Sequence, residues 1–158
     1  MTIELAEART HSASRVILAS PRTLFRAFVD SEMLASWRAP QGMTARIPRF
    51  DPRVGGGYLM ILTYEDAAGA PGKSDADRDV VQVKFAELAA EERVVELVRF
   101  ESDDPDFAGE MRLTTTFTQF ADGTRVTMTA DQVPAGIGKA DHETGIAGSL
   151  KKLALLTE

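Results

Sequence analysis

Apolar residues recur along this chain with two different periods, and the switch between them separates strands from helices. Residues 11–20 include Arg15-Val16-Ile17-Leu18-Ala19, a short β-branched run that reads as a strand. Ser20-Pro21 then marks a helix start: serine is the N-cap, and proline takes the first helical position, where no N–H is needed. Leu24, Phe25 and Phe28 follow at helical spacing. Asp30 offers a second N-cap, with Glu32 in the first turn and Met33, Leu34 and Trp37 facing inward. Pro40-Gln41-Gly42 ends this helical pair. From there the period drops to two. Strands are expected over residues 44–50, 57–64, 80–88, 92–101, 111–120 and 124–130. Residues 65–79 form a polar Gly/Pro/Asp-rich connection, and Asp122-Gly123 is a hairpin signal between the last two strands. After Val133-Pro134 the helical period returns through Leu156, with Leu150, Leu153 and Leu156 on one side.

The predicted order is strand, two short helices, about six more strands and a long helix. Helices kept to one face of an antiparallel sheet define an α+β fold. A strongly curved sheet leaves a space beneath a long covering helix, and that space is the default ligand site. Residues 1–10 are expected to be a flexible arm and residues 11–158 a single domain, as suits a chain of 158 residues.

Composition narrows the function classes. With 44% hydrophobic residues the chain can build a core without staples, and with no cysteine it has no disulfide, thiolate metal site or thiol nucleophile. The N-terminal residues are acidic and lack a signal-peptide apolar stretch, and no apolar run is long enough to span a bilayer. A cytoplasmic location is expected. The net charge of -6 and scattered basic residues argue against nucleic-acid or anionic-membrane partners.

Several local patterns suggest chemistry and then fall short of it. Gly55-Gly56-Gly57 precedes a strand, whereas a phosphate cradle opens a helix, so a bulge or close backbone approach is the better reading. Residues 67–74 approximate a phosphate-binding loop, but Ala67 stands where the first glycine belongs and an acidic run follows. Asp75, Asp77 and Asp79 have the spacing of a calcium loop, yet Val80 and Ala86 occupy its glycine and glutamate positions. Ser149 and Lys152 have the spacing of one acyl-enzyme class without its companion elements, and read as ordinary helix. His11 and His142 have no second metal ligand at helical spacing. No metal or cofactor is expected.

Glu96 stands apart. Strand alternation sets it on one face with Val94, Val98 and Phe100, while Arg93, Val95, Leu97, Arg99 and Glu101 take the other. A carboxylate on an apolar face needs a partner or a purpose. Glu96 is either a buried proton acceptor or ligand anchor, or it reaches water or an arginine. His142, between Asp141 and Glu143, is a second candidate acid or base, or a solvated surface histidine. The catalytic residues are otherwise unassigned.

The predicted ligand lining follows from the same face assignments. Phe28 and Trp37 come from the short helices, though Trp37 could equally be a core anchor. Tyr58, Met60, Val83, Phe85, Glu96, Val98 and Phe100 come from the middle strands. Met111, Thr115 and Met128 come from the later strands, and Ile146 and Leu150 from the last helix. The methionines suit an adaptable apolar pocket. Glycines at 136, 138, 145 and 148 suggest close packing of the last helix on the sheet or room for a ligand.

Taken together, Asp30…Trp37…Pro40, Pro52-Arg53-Val54-Gly55-Gly56, Asp122-Gly123-Thr124-Arg125 and the terminal Asp141-His142-Glu143…Gly145…Ser149-Leu150…Leu153-Ala154 resemble the SRPBCC (START/Bet v 1-like) superfamily. Within it they resemble the branch related to the C-terminal domain of the Hsp90 ATPase activator. The resemblance covers about residues 11–156. It implies a helix-grip fold, a curved antiparallel sheet of six to seven strands wrapped round a long C-terminal helix with an internal cavity. One departure is Ile146 after Gly145, where family members often carry tryptophan. The chain shows no counterpart of the co-chaperone's separate N-terminal domain, so direct Hsp90 contact is not expected.

The expected function is binding of a small apolar or amphipathic molecule. A polyketide cyclase- or hydrolase-like enzyme and a protein-interaction module of the Hsp90-activator type are the alternatives. A homodimer is compatible with an exposed sheet face or edge.

Overall fold

A computed structural model describes residues 9–40, 42–65 and 78–158. Seven strands form one antiparallel sheet: β1 (His11–Ile17), β2 (Met43–Asp51), β3 (Gly57–Tyr64), β4 (Arg78–Ala89), β5 (Arg93–Phe100), β6 (Met111–Phe120) and β7 (Gly123–Asp131). Their order is β1-β7-β6-β5-β4-β3-β2, so β2 to β7 form a meander and β1 closes beside β7. Helices α1 (Pro21–Arg26) and α2 (Ser31–Arg38) cross from β1 to β2 at the opposite edge, and α3 (Lys139–Thr157) follows β7. The result is the α+β helix-grip arrangement, with the curved sheet holding the C-terminal helix.

Local chemistry accounts for the helix boundaries. The Ser20 hydroxyl accepts from the Thr23 N–H at 3.1 Å, and the Asp30 carboxylate accepts from the Met33 N–H at 3.0 Å. Each satisfies one of the donors that a helix start leaves unpaired. Pro40 follows directly on the Ala39 C-cap of α2 and cannot extend it. The last helix begins at Lys139, later than the hydrophobic pattern suggested, with Gly138 as its N-cap. Gly136 lies before it against the Pro105–Phe107 turn, and its N–H donates to the Asp106 carbonyl at 2.7 Å.

The core lies between the helices and one sheet face, where alternate residues of β3, β4, β6 and β7 are buried; β5 departs from alternation, with Val95 of the opposite face buried as well as Val94 and Glu96. The glycine-rich turn is a close approach: at Gly57 (φ +158°) a Cβ would collide with the Val83 carbonyl on β4. The β6–β7 hairpin forms, but its two-residue turn is Ala121-Asp122, with Ala121 at φ +51°. Gly123 already pairs with Phe120, and a side chain there would strike the Ile17 carbonyl of β1.

Of the expected N-terminal arm, residues 1–8 lie outside the described residues. Arg9 and Thr10 bond to the end of β7 and the segment after it: the Arg9 carbonyl accepts from Val133 N–H at 3.2 Å, and Thr10 Oγ1 donates to Asp131 at 3.0 Å. The approximate phosphate loop and the first two aspartates of the calcium-like run also lie outside them. Asp79 and Ala86 belong to strand β4 rather than to a loop, with Ala86 at a shift in the register against β5. Among the described residues no helix is long and apolar enough to cross a membrane.

Candidate functional site

The site is assembled from α2 outward. Trp37 turns toward α1, where its indole N–H donates to the Ala27 carbonyl at 3.0 Å and its ring meets Phe28 edge-on at 4.8 Å. The next residue points elsewhere. Arg38 reaches the sheet and grips Glu96 on β5 with both terminal nitrogens, at 2.9 and 3.3 Å. Tyr58, from β3, donates its hydroxyl to the same carboxylate. Two contacts from α3 secure the end of α2: the Ser149 hydroxyl donates to the Arg38 carbonyl at 3.1 Å, and the Lys152 ammonium to the Ala39 carbonyl at 2.8 Å. The Ser149/Lys152 pair is therefore a brace for the C-terminus of α2, the helix end that favours a cation.

Burial makes this triad electrostatically tight. The Glu96 side chain is 0% exposed and that of Arg38 13%. Burial works against the charge on Arg38, but attraction and hydrogen bonding to Glu96 and then Tyr58 outweigh it and raise the guanidinium pKa above its ordinary value. Burial is also the main reason the Tyr58 phenol is pushed well above its ordinary value; Arg38 opposes this and Glu96 adds to it. Tyr58 is thus a fixed donor at neutral pH. The sequence leaves Glu96 as a buried proton acceptor or ligand anchor, or as a residue that reaches water or an arginine. It is a buried arginine partner with both oxygens engaged.

A cavity of about 350 Å³ opens beside the triad, between the sheet and the first half of α3. Its walls are alternate residues of neighbouring strands. Tyr58, Met60 and Leu62 come from β3, Val81 and Val83 from β4, Val98 and Phe100 from β5, and Met111, Leu113 and Met128 from β6 and β7. Ile146, Gly145 and His142 face it from α3, and Arg38, Met43 and Pro40 from the end of α2 and the start of β2. Tyr64, Asp79 and Asp141 add polar groups. At Gly145 a Cβ would meet nothing within 4 Å, so this helical glycine leaves room and does not serve close packing.

At the mouth, His142 meets His11 of β1. Their Nδ1 atoms are 2.8 Å apart and the rings are perpendicular, with centroids at 5.0 Å. One ring must donate and the other accept, so at least one is neutral. Beside them the Ser12 N–H donates to Glu143 at 2.9 Å. Burial lowers the pKa of His11, Glu143 opposes that effect and Lys139 reinforces it.

Six sequence-selected lining residues lie behind the cavity wall. Phe28 and Trp37 pack with Phe117 in the core on the α1 side, because the Trp37 indole is committed to Ala27. Phe85 is 0% exposed, packed on Tyr58 and Phe50 near the glycine-rich turn. Leu150 sits one turn beyond Ile146 and is fully buried. Thr115 is also fully buried, and its hydroxyl has no hydrogen-bond partner among the described residues. Glu96 stands behind Arg38 and Tyr58. The cavity residues not expected from the sequence include Arg38, Leu62, Tyr64, Val81, Leu113 and Ser149, whereas Gly145 is one of the helix glycines read as close packing or room for a ligand. Leu62, Val81 and Leu113 share the period of residues that were chosen, and Arg38 was signalled only by the need of Glu96 for a partner. Among the described residues no three His, Asp or Glu side chains are grouped to hold a metal ion.

A sheet curled round a C-terminal helix, with a cavity between them, places the protein in the helix-grip class. The family model described as activator of Hsp90 ATPase homolog 1-like protein matches residues 18–158, and the chain belongs to that family, a branch of the SRPBCC superfamily. It is similar to a crystal structure of a Chromobacterium violaceum protein at 30% identity, over 95% of this chain and 97% of that one, with TM-score 0.83. A Rhizobium loti protein is 29% identical over 92% and 94% of the two chains, with TM-score 0.70. A Staphylococcus epidermidis solution structure, 19% identical over 94% and 89%, shares the fold with TM-score 0.74. No curated protein matches the chain.

Proposed function

We propose that this protein binds a small apolar or amphipathic molecule in the cavity between the sheet and α3. The observation that carries the reading is the wall itself: aliphatic, aromatic and methionine side chains surround most of the space, and Arg38, Tyr58, Asp79 and Ser149 are polar groups in its lining. Burial of apolar ligand surface would supply the affinity, at roughly 25 cal/mol per Å² before the costs of association. The volume falls in the usual range for small-molecule sites, about 300–1,000 Å³. A cyclase- or hydrolase-like reaction has less support, because Glu96 is held by Arg38 and Tyr58 and faces no open position. An interaction module would call for a filled interior.

Native mass spectrometry of protein purified from cell lysate tests this. The expected result is a non-covalent small molecule that is lost on denaturation and absent from Gly145→Leu, whose side chain would occupy the cavity. A clean apo mass, with naphthalene failing to bind the same protein, would overturn the reading.

A further inference from the structure

We propose that the cavity selects an uncharged ligand, an apolar body bearing one carbonyl acceptor that takes an N–H from Arg38. This rests on the reading of the cavity as a ligand site and specifies its chemistry.

An arginine at the inner wall of an apolar cavity would ordinarily suggest a carboxylate ligand. Here that position is already taken: Glu96 accepts from both terminal nitrogens of Arg38, and the pair is neutral as a unit. A ligand carboxylate would be a second anion beside one cation, in a setting where an unpaired charge is poorly solvated. The carboxylates of the wall itself are Asp79 and Asp141. The field of Asp79 is felt locally, since it adds to burial in raising the pKa of Tyr64. The chain's net charge of -6 acts in the same direction at long range.

Hydrogen bonding then favours a neutral acceptor. A guanidinium has more N–H groups than one carboxylate can take, and Arg38, with 13% of its side chain exposed, is among the residues that line the cavity. Tyr58 donates to Glu96 and has no second proton to offer. Arg38 is therefore the cationic donor that a ligand would meet in this cavity, whose lining also includes Tyr64 and His142. A carbonyl can accept from it without disturbing the ion pair, and an aliphatic or aromatic remainder fits the Met60, Val83, Met111 and Met128 surface.

The test uses three probes of one shape: acetylnaphthalene, naphthoate and naphthalene, measured by equilibrium dialysis near neutral pH. Naphthalene binding to the wild type and its loss in Gly145→Leu establish the cavity. The ketone is expected to bind at least about tenfold more tightly than naphthoate, the scale of one hydrogen bond gained against one charge left unmatched. In Arg38→Met/Glu96→Gln, which removes the ion pair without leaving a lone buried charge, the ketone should lose its advantage over naphthalene while naphthalene still binds. Naphthoate binding as tightly as the ketone would overturn the assignment with the cavity intact. An undiminished ketone advantage in the double variant would do the same. Failure of all three probes would overturn the cavity reading beneath it.

Discussion

The Nδ1 atoms of His11 and His142 lie 2.8 Å apart and join the first strand to the last helix at the cavity mouth. This arrangement cannot persist with both rings protonated. The folded-state pKa of His11 is lowered from about 6.5, chiefly by burial, with Glu143 opposing and Lys139 assisting. The unfolded chain therefore takes up a proton more readily than the folded one. Stability is complete above about pH 6.5 and falls as pH drops through the lowered folded value. Thermal melts between neutral and mildly acidic pH should show this loss, and His11→Gln should lose less. Equal losses in the two proteins would count against the pair as its source.

The Arg38–Glu96 pair predicts strong non-additivity. Arg38→Met leaves a fully buried carboxylate with only Tyr58, and should cost about 3–5 kcal/mol in urea denaturation. Adding Glu96→Gln removes the charge and keeps an acceptor for Tyr58. The double variant should be more stable than Arg38→Met alone; a simple sum of the single effects would show that the two side chains are not energetically coupled.

Gly145 and Gly148 lie inside α3, and a Cβ at either position meets nothing within 4 Å. Alanine at each should stabilise the protein by roughly 1 kcal/mol, the ordinary glycine penalty in a helix. A lower Tm in Gly148→Ala would mean that the helix uses that flexibility.

Trp37 should matter to stability and little to ligand affinity. Trp37→Phe removes the donor to the Ala27 carbonyl and leaves that acceptor buried, at a cost of about 1–3 kcal/mol. Naphthalene affinity, read by dialysis, should stay within a factor of about two, a change of only a few tenths of a kcal/mol. A tenfold loss would put the indole in contact with the ligand.

Much of this was legible in the chain. Period-two alternation placed the strands and assigned Tyr58, Met60, Val83, Val98, Phe100, Met111 and Met128 to the face that now borders the cavity. Alternation gives the face of a residue and not its depth along the strand, so Phe85 and Thr115 were grouped with it although they pack away from the space. The apolar-face position of Glu96 signalled a missing partner. That partner lies 58 positions away on a helix whose docking no local pattern specifies. The Asp122-Gly123 signal marked the right hairpin, but the glycine is required by the approach of Ile17 from β1, a constraint that exists only in three dimensions.

The strand order has a kinetic consequence. Strands β2 to β7 pair with sequence neighbours, so hairpins can form with short loop closures. Strand β1 must instead find β7, and His11 must find a partner 131 positions away. Such closures carry the largest entropic delay. Pulsed hydrogen exchange during refolding should therefore protect β3 to β6 before β1, and simultaneous protection would contradict that sequence of events. The mouth of the cavity is then the last part of the molecule to acquire its shape.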